Sequence, residues 1–339
     1  MRNFPMVSAS SIGACVRYVA QQAGCSSVES VLRHARLPLE MAGVAQHDGR
    51  FIPLRSLFLL LEAASDAAKT RDFGVKLVQA RGLASAGSLF LDAERTLDLG
   101  AALESACRAS RAYSNHWHFE IEGCGDFRRI GLATSLGASR GARQLTELLL
   151  AGLVSLMRRF AGDAWHPVRI ETDHAIDAST GAGLELFAGC QLIHGKATAG
   201  VVIDEAVWQR RTSHALERHP RPPPLLAPPD DFTSAVRELI RICLLDADCS
   251  LLLVARTMGV SARTLQRELN RSGCTFRRLV VSERCARAAE LLVETRSAIG
   301  DIALSSGYSS HNHLARAFKS LELLSPGQYR SRMGKAKAC

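Results

Sequence analysis

The sequence lacks the long apolar runs and the leading segment that mark membrane and secreted proteins. Within its 339 residues no uncharged apolar stretch reaches about 18, the length that a membrane-spanning helix needs, and the apolar segment 57–64 contains Glu62. The first eleven residues have no basic region followed by an apolar core, so they predict no secretion signal. We therefore expect a protein that stays in the cytoplasm and has no membrane partner.

Close cysteine pairs and catalytic motifs are also missing. The chain has 10 cysteines, but no two of them have the C-x2-C spacing with which one loop holds a metal ion. We expect these thiols to be reduced and buried, in the role of small apolar side chains. No HExxH, GxSxG, P-loop or GxGxxG stretch occurs. The sequence therefore predicts no catalytic residue, no cofactor, no metal and no enzyme activity.

Acidic residues are fewer than basic ones, above all near the C-terminus. The net charge is +9, and residues 230–339 carry 17 Lys and Arg against 11 Asp and Glu, a net of +6 in one third of the chain. A basic balance concentrated in one small region favours a polyanion as its partner.

Prolines divide the chain into two domains. Six of them lie from Pro220 to Pro229, a run that excludes a helix or the interior of a sheet and favours an extended spacer. We predict a linker over residues 216–230. An N-terminal domain precedes it over residues 1–215, a C-terminal domain follows over 231–332, and residues 333–339 form a basic tail.

The N-terminal domain combines two periodicities, which predict an α+β fold. Apolar residues at three- and four-residue spacing predict helices over residues 10–23 and 53–68, and residues 144–160 are predicted to form a further helix. Shorter periods predict strands over residues 117–121, 129–133, 168–170 and 200–203, the first two joined as a hairpin by the turn 123–126.

The C-terminal domain contains a first candidate helix-turn-helix unit. Ala255 is small enough for two helices to cross closely, and Gly259 gives the turn its backbone freedom. Ser261 can cap the second helix. Leu265 and Leu269, four residues apart, predict the buried face of that helix.

The same pattern recurs about fifty residues later. Ala303, Gly307 and Ser309 repeat the Ala-x3-Gly-x-Ser spacing, and the second helix presents Leu314 and Phe318 one residue later than in the first copy. Between the copies, residues 276–293 predict one long helix with apolar Leu279, Val280, Ala286, Ala289 and Leu292. A stiff connector suits two recognition helices in adjacent major grooves, which lie about 34 Å apart on one DNA face. The prediction is an all-α domain with two helix-turn-helix units joined by a linker helix.

These features resemble the DNA-binding domain of the AraC/XylS family of transcription regulators. The resemblance covers residues 255–269, 287–292 and 302–309 and the ending Ser325-Pro326-x-x-Tyr329-Arg330. One departure is Leu323, where the family usually has a glycine that ends the last recognition helix.

By resemblance, base contacts fall on three side chains in each unit. They are Arg263, Gln266 and Arg267 in the first unit and His311, Asn312 and Arg316 in the second. The outward-facing residues Thr264, Arg271, Ser310 and Lys319 complete the predicted DNA-binding set, because such side chains donate to bases and phosphates.

The N-terminal region is similar to the arabinose-binding-like domain found in the ornithine-utilisation-regulator branch of these proteins. The resemblance is carried by the helical start, by residues 86–89 with the helix 97–113, and by residues 186–190. It implies a domain that dimerises and binds a small-molecule effector. It assigns no residue to that effector.

The predicted function is sequence-specific regulation of transcription on double-stranded DNA. We expect a homodimer that acts as an activator rather than a repressor, contacts RNA polymerase as activators do, and responds to an effector. Two alternatives stay open. One is a constitutive regulator whose N-terminal domain only dimerises or binds a protein; the other is a DNA-repair alkyl-transfer enzyme, which would need a nucleophilic cysteine and a cysteine-rich zinc site.

Histidines and tryptophans offer other interpretations, which we weigh against structural roles. His116 and His118 would share one face of the predicted strand, as zinc ligands could, but structural roles are favoured for them and for His166, His174 and His194. His313 is expected to pack beside Leu314 rather than to hold a metal. Trp117, Trp165 and Trp208 are expected to pack in the core.

Overall fold

The computed structural model describes residues 4–42, 49–176, 187, 189–211, 226–246, 249–322 and 324–336. Contacts between Cα atoms divide the chain into two compact units, Asn3–Asp230 and Asp231–Cys339. Residues 216–225 of the predicted linker, Leu186, Ala188, Leu323 and the tail residues 337–339 lie outside the described residues.

The N-terminal domain has an α+β fold with two sheets. Strands β1 (Met6–Ser8) and β2 (Phe51–Pro53) form an antiparallel pair. The second sheet contains β3 (Phe119–Cys124), β4 (Phe127–Leu132), β5 (Arg169–Glu171), β6 (Gln191–Ile193) and β7 (Gly200–Asp204). Its order is β3-β4-β7-β5-β6, with only the β5–β6 pair parallel.

Helices of this domain supply most of its core. They are α1 (Ile12–Ala23), α2 (Cys25–His34), α3 (Leu54–Ala67), α4 (Phe73–Arg81), α5 (Leu99–Tyr113), α6 (Arg140–Ala161) and α7 (Glu205–Trp208). Short 3-10 turns occupy Ala9–Ser11, Leu39–Ala42, Gly82–Ala86 and Ala93–Arg95.

The central helix is α6, because it packs against both α3 and α4 and buries 16 of its 22 residues. Ser139 caps it by accepting a hydrogen bond from the Ala142 amide. Gly74 lets α4 approach: a Cβ atom there would lie 2.2 Å from the Gln144 carbonyl oxygen. A glycine is therefore required at this crossing.

The predicted hairpin exists, but its first strand begins later than the pattern indicated. Strand β3 starts at Phe119, pairs Cys124 with Phe127, and leaves a two-residue turn with Gly125 at φ +64°. His116 and His118 both precede the strand, so they do not share a strand face, and the pairing suggested for two zinc ligands is wrong. Trp117 is fully buried as predicted, whereas Trp165 and Trp208 are half-buried.

The cysteines follow the predicted pattern only in part. Cys15, Cys243 and Cys285 are buried, and burial raises the pKa of the Cys15 thiol to about 12. Cys107, Cys190, Cys249 and Cys274 are half-buried, however, and Cys25 is exposed because it begins α2 at the surface. Of the described cysteines, Cys15, Cys25, Cys107, Cys190 and Cys274 are free thiols.

The C-terminal domain is helical throughout its described residues. Its helices are α8 (Phe232–Cys243), α9 (Leu251–Met258), α10 (Ala262–Arg271), α11 (Phe276–Glu294), α12 (Ile299–Ser305), α13 (His311–Glu322) and α14 (Pro326–Ala336), with a 3-10 turn at Leu244–Asp246. The last helix continues through residues 333–336, which the sequence had placed in a tail. A domain of mixed α and β structure followed by a helical domain is thus confirmed.

Among the helices of the described ranges, none is both long enough and apolar enough to cross a membrane.

Candidate DNA-binding site

Helices α9 and α10 are joined by a three-residue turn that the sequence specifies closely. Gly259 adopts φ +71° and ends α9, and the Val260 amide donates to the Ala255 carbonyl at 3.0 Å. The Ser261 hydroxyl accepts a hydrogen bond from the Thr264 amide at 3.1 Å, so Ser261 caps α10. Ala255 is buried between the helices, as its small side chain suggested.

The outer face of α10 is polar and exposed. Leu265 and Leu269 are fully buried, and a helix turns by about 100° per residue, so the opposite face is set by these two leucines. The exposed predicted side chains of this helix are Arg263, Gln266, Arg267 and Arg271. Thr264 differs from these residues because it is half-buried. Its hydroxyl lies 2.9 Å from the Ser261 hydroxyl, so the Thr264 side chain is part of the cap of α10.

Asn270 belongs to the same outer face, although the sequence analysis did not name it. It is exposed, three residues after Arg267 and seven after Arg263. The helical repeat itself is the signal that could have found it, because positions i, i+3, i+4 and i+7 share one side of a helix.

An acidic side chain lies beside two of these arginines. The Glu268 carboxylate is 2.8 Å from the Arg271 guanidinium and 3.4 Å from that of Arg267. Both ion pairs lie near the surface, so they contribute little to the free energy of unfolding. It does place a negative charge on a helix that otherwise presents three exposed arginines.

Helices α12 and α13 form the second pair; their turn has five residues, and it has one more residue between the glycine and the cap than the first turn has. Gly307 has φ +80°, and the Tyr308 amide donates to the Ala303 carbonyl at 2.8 Å. The extra residue moves the cap from the Ser309 suggested by the repeat to Ser310, whose hydroxyl accepts from the His313 amide at 3.4 Å. The side chain of Ser310 therefore has a local structural partner.

The polar face of α13 lies opposite Leu314 and Phe318, which are both fully buried. The predicted residues exposed on this helix are His311, Asn312, Arg316 and Lys319. His313 is exposed as well, with its Nδ1 atom 2.9 Å from the Ser309 hydroxyl. The expectation that His313 packs in the core is therefore wrong, because its position on the helix is more than a quarter-turn from Leu314.

A shared apolar cluster holds the second pair against α11. It contains Cys285, Ala288, Leu292, Ile302, Ala303, Leu314 and Phe318. The ring of Tyr329 closes it, edge-on to Phe318 at 5.2 Å between centroids. Within α11 the buried positions include Leu279, Val280 and Leu292 as predicted, but Ala286 is exposed because Cys285 and Ala288 face the core instead.

A buried carboxylate fixes the first half of α11 to α8. Glu283 is 2% exposed and accepts from Arg237 at 2.8 Å and from Arg241 at 2.7 Å. Burial alone lowers the pKa of Arg241, but Glu283 and Glu238 raise it by more, so its guanidinium stays charged. The helix that lies between the two pairs is thus held by apolar contacts at one end and by ion pairs at the other.

No group of three or more His, Cys, Asp or Glu side chains in the described part of the chain could hold a metal ion. His118 is engaged with Glu120 at 2.9 Å, and His194 with the Thr172 hydroxyl at 2.9 Å. These histidines have structural partners of the kind that the sequence analysis favoured.

Two family models match the chain. Residues 26–212, more than half of the chain, match the arabinose-binding domain of AraC transcription regulators, and residues 254–332 match a helix-turn-helix domain. The second match includes both helix pairs described above.

Similar proteins are transcription regulators. The chain is 25% identical over 297 residues to the regulator VirS of Mycobacterium tuberculosis, with 85% of this chain and 87% of VirS covered. It is 33% identical over 101 residues to the transcriptional activator NphR of a Rhodococcus species, with 30% of each chain covered. The crystal structure of the regulator CdpR from Pseudomonas aeruginosa matches with a TM-score of 0.35 and 16% identity, over 80% of this chain and 91% of CdpR.

These matches remove the alkyl-transfer alternative, because the family models and curated relatives are those of regulators and not of enzymes. A helix-turn-helix domain binds DNA, which agrees with the polyanion expected from the charge. The chain belongs to the AraC family of DNA-binding transcription regulators.

Proposed function

We propose that the pairs α9–α10 and α12–α13 are two helix-turn-helix units, and that α10 and α13 are recognition helices that enter consecutive major grooves. The observation that carries this proposal is the pair of exposed polar faces, each set opposite two fully buried apolar side chains. The 19 residues of α11 between the units span about 28 Å at 1.5 Å per residue. That length is compatible with the groove repeat of about 34 Å.

The proposed contacts follow from the exposed faces. Arg263, Gln266 and Arg267 on α10 and His311, Asn312 and Arg316 on α13 contact bases, whereas Arg271 and Lys319 contact phosphates. Thr264 and Ser310 act through their backbone position, since their hydroxyls are engaged in the caps. We add Asn270 and His313 to the proposed DNA-contacting residues because their side chains are exposed.

Footprinting on the DNA that flanks the gene for this protein tests the proposal. We expect two protected major-groove segments per protomer, about 10 base pairs apart. Affinity is expected to fall steeply with salt as phosphate contacts release counterions. A single protected segment, or binding that does not distinguish this DNA from random sequence, would contradict the two-unit assignment.

We also propose that the N-terminal domain binds a small-molecule effector and that the protein activates transcription as a homodimer. The match to the arabinose-binding domain supports the binding of an effector. The similarity to NphR, which is named as a transcriptional activator, supports activation of transcription. Strands β3 and β6 are the two edges of the five-stranded sheet, and an edge strand can pair with a strand of a second protomer. Contact with RNA polymerase is part of the same proposal.

Two measurements separate this proposal from constitutive regulation. Sedimentation of the full chain should give a dimer, and a reporter fused to the footprinted promoter should lose expression when the regulator gene is deleted. A metabolite that stabilises the N-terminal domain should also change that expression. Activity that no metabolite alters would favour the constitutive regulator.

A further inference from the structure

A polar pocket opens on the N-terminal domain where the end of α3, the loop after it and the first turns of α6 meet. Its volume is about 490 Å³, within the range of roughly 300–1,000 Å³ that small-molecule sites occupy. The charged side chains in its lining are Lys69, Arg71, Arg140, Arg143, Asp66 and Glu147.

Most acceptors in this pocket are already engaged. Arg140 holds both carboxylate oxygens of Asp66 at 2.7 Å in a bidentate pair. The Gln144 amide accepts from the Gly74 backbone at 2.8 Å and donates to the Arg71 carbonyl. Glu147 faces the buried His174, with 3.5 Å between Oε1 and Nε2.

Three cations remain available. The side chains of Lys69, Arg71 and Arg143 are exposed, and within the described residues they make no ion pair and no hydrogen bond. Lysine and arginine only donate hydrogen bonds. A ligand that satisfies this lining must therefore accept hydrogen bonds at several points and carry negative charge.

The backbone at Lys69 has a conformation that a glycine would adopt more easily. Lys69 has φ +51°, one residue after the C-cap of α3, and the Thr70 amide donates to the Ser65 carbonyl at 3.0 Å. Glycine is favoured at such a helix end because side chains disfavour the left-handed region. The chain instead keeps a lysine here, which holds an ammonium group at the rim of the pocket.

At the floor of the pocket, the carboxylate of Glu147 faces a buried histidine, His174. His174 lies next to the lining residue Ala175 and is also 2.8 Å from Asp173, whose other oxygen accepts from Ser135 at 2.5 Å. Burial alone lowers the pKa of His174, but Glu147 and Asp173 raise it by more. At 3.5 Å the contact with Glu147 is an ion pair rather than a good hydrogen bond, so Asp173 is the firmer partner.

We propose that this pocket binds a small organic anion with two or more negative charges, a di- or tricarboxylate or a phosphate monoester. The further claim that this pocket is the effector site rests on the effector control proposed above. The claim that the pocket binds such an anion does not depend on that proposal.

Intrinsic fluorescence allows a direct test in the full chain, because all three tryptophans (Trp117, Trp165 and Trp208) lie in the N-terminal domain. Thermal melts are recorded with succinate, citrate, inorganic phosphate and glucose 6-phosphate, at an ionic strength held constant with sodium chloride. At one hundred times its Kd, a specific anion should raise the melting temperature by about 5–10 °C, and the rise should then grow with the logarithm of the anion concentration.

Three variants locate the site. Arg143→Gln and Lys69→Gly should lose this rise, while Arg17→Gln, which removes an exposed arginine from α1, should retain it. Without ligand, Lys69→Gly should melt about 2–4 °C higher than the parent, because glycine relieves the left-handed strain. A variant that is more stable and yet unresponsive cannot be explained by misfolding.

The outcomes are distinct. A rise with carboxylates alone or with phosphates alone identifies the acidic group. Absence of a rise with all four probes, or an equal loss in Arg17→Gln, would show that the pocket is only a solvated basic surface. If an anion binds but leaves affinity for the footprinted DNA unchanged, the site stands and effector control through it fails.

Discussion

Arg267→Ala is the sharpest test of the proposed recognition face. The side chain lies opposite Leu265 and Leu269, is 56% exposed, and has only the 3.4 Å contact with Glu268 as a charged partner among the described residues. Such a surface pair contributes about 0–1 kcal/mol to stability. The substitution should therefore leave the free energy of unfolding within about 0.5 kcal/mol of the parent value.

Binding should change far more than stability does. A bidentate contact between an arginine and a base contributes about 1–3 kcal/mol of discrimination. Truncation to alanine should accordingly weaken binding to the footprinted DNA by about 5- to 150-fold, at about 1.4 kcal/mol for each factor of ten. For random DNA the loss should be several-fold smaller, because only the charge is removed.

Fluorescence anisotropy with labelled DNA measures both affinities at one salt concentration. Arg17→Ala is the matched control, since it removes the same charge from an exposed site in the other domain. Equal losses on specific and random DNA would mean that Arg267 contacts phosphate instead of a base. If the variant binds both DNAs as the parent does, the face assigned to α10 is wrong.

Three further substitutions address charges that the sequence did not reveal. Glu268→Gln should raise affinity for specific and random DNA alike, by a few-fold at low salt, because it frees Arg267 and Arg271 and removes an anion that faces the phosphates; unchanged affinity in anisotropy titrations would exclude that role. Glu283→Gln should destabilise the C-terminal domain by about 1–3 kcal/mol, less than for a fully buried pair because water reaches both arginines; helical CD during urea unfolding measures it, and tryptophan fluorescence of the N-terminal domain should not change. His174 has a raised pKa in the folded chain, so its contribution to stability is complete below its unfolded value of about 6.5 and is lost as pH rises through the folded value. Burial lowers the pKa of His116, so the change in stability that His116 causes lies at pH values below about 6.5 instead. Tryptophan-monitored unfolding should thus show stability that weakens as pH rises above about 6.5 in the parent but not in His174→Asn; an identical slope in both would refute the assignment.

Features fixed by neighbours in sequence were predictable. The helix cores of α1, α3, α6 and α11 follow from apolar spacing, and Ser261 and Gly259 follow from the chemistry of caps and turns. The exposed faces of α10 and α13 follow from the same helical repeat once the buried leucines are identified.

Features that depend on three-dimensional register or on distant residues were not predictable. The additional residue in the second turn moves the cap to Ser310, and in the helix that begins there His313 faces solvent. The ion pairs of Glu283 with α8 join residues more than forty positions apart, and no local pattern marks them. The basic pocket joins the loop after α3 to α6, some seventy residues later, for the same reason.

The two proposed recognition faces differ, and this difference constrains the DNA site. The outer face of α10 presents Arg263, Arg267 and Arg271, whereas that of α13 combines Arg316 and Lys319 with neutral donors. A palindromic operator reflects two identical units related by a two-fold axis. Here both units belong to one chain and are chemically unlike, so on the proposal above one protomer binds two segments of different sequence. The α10 segment should account for more of the salt dependence, because α10 brings three exposed positive charges to the DNA and α13 brings two.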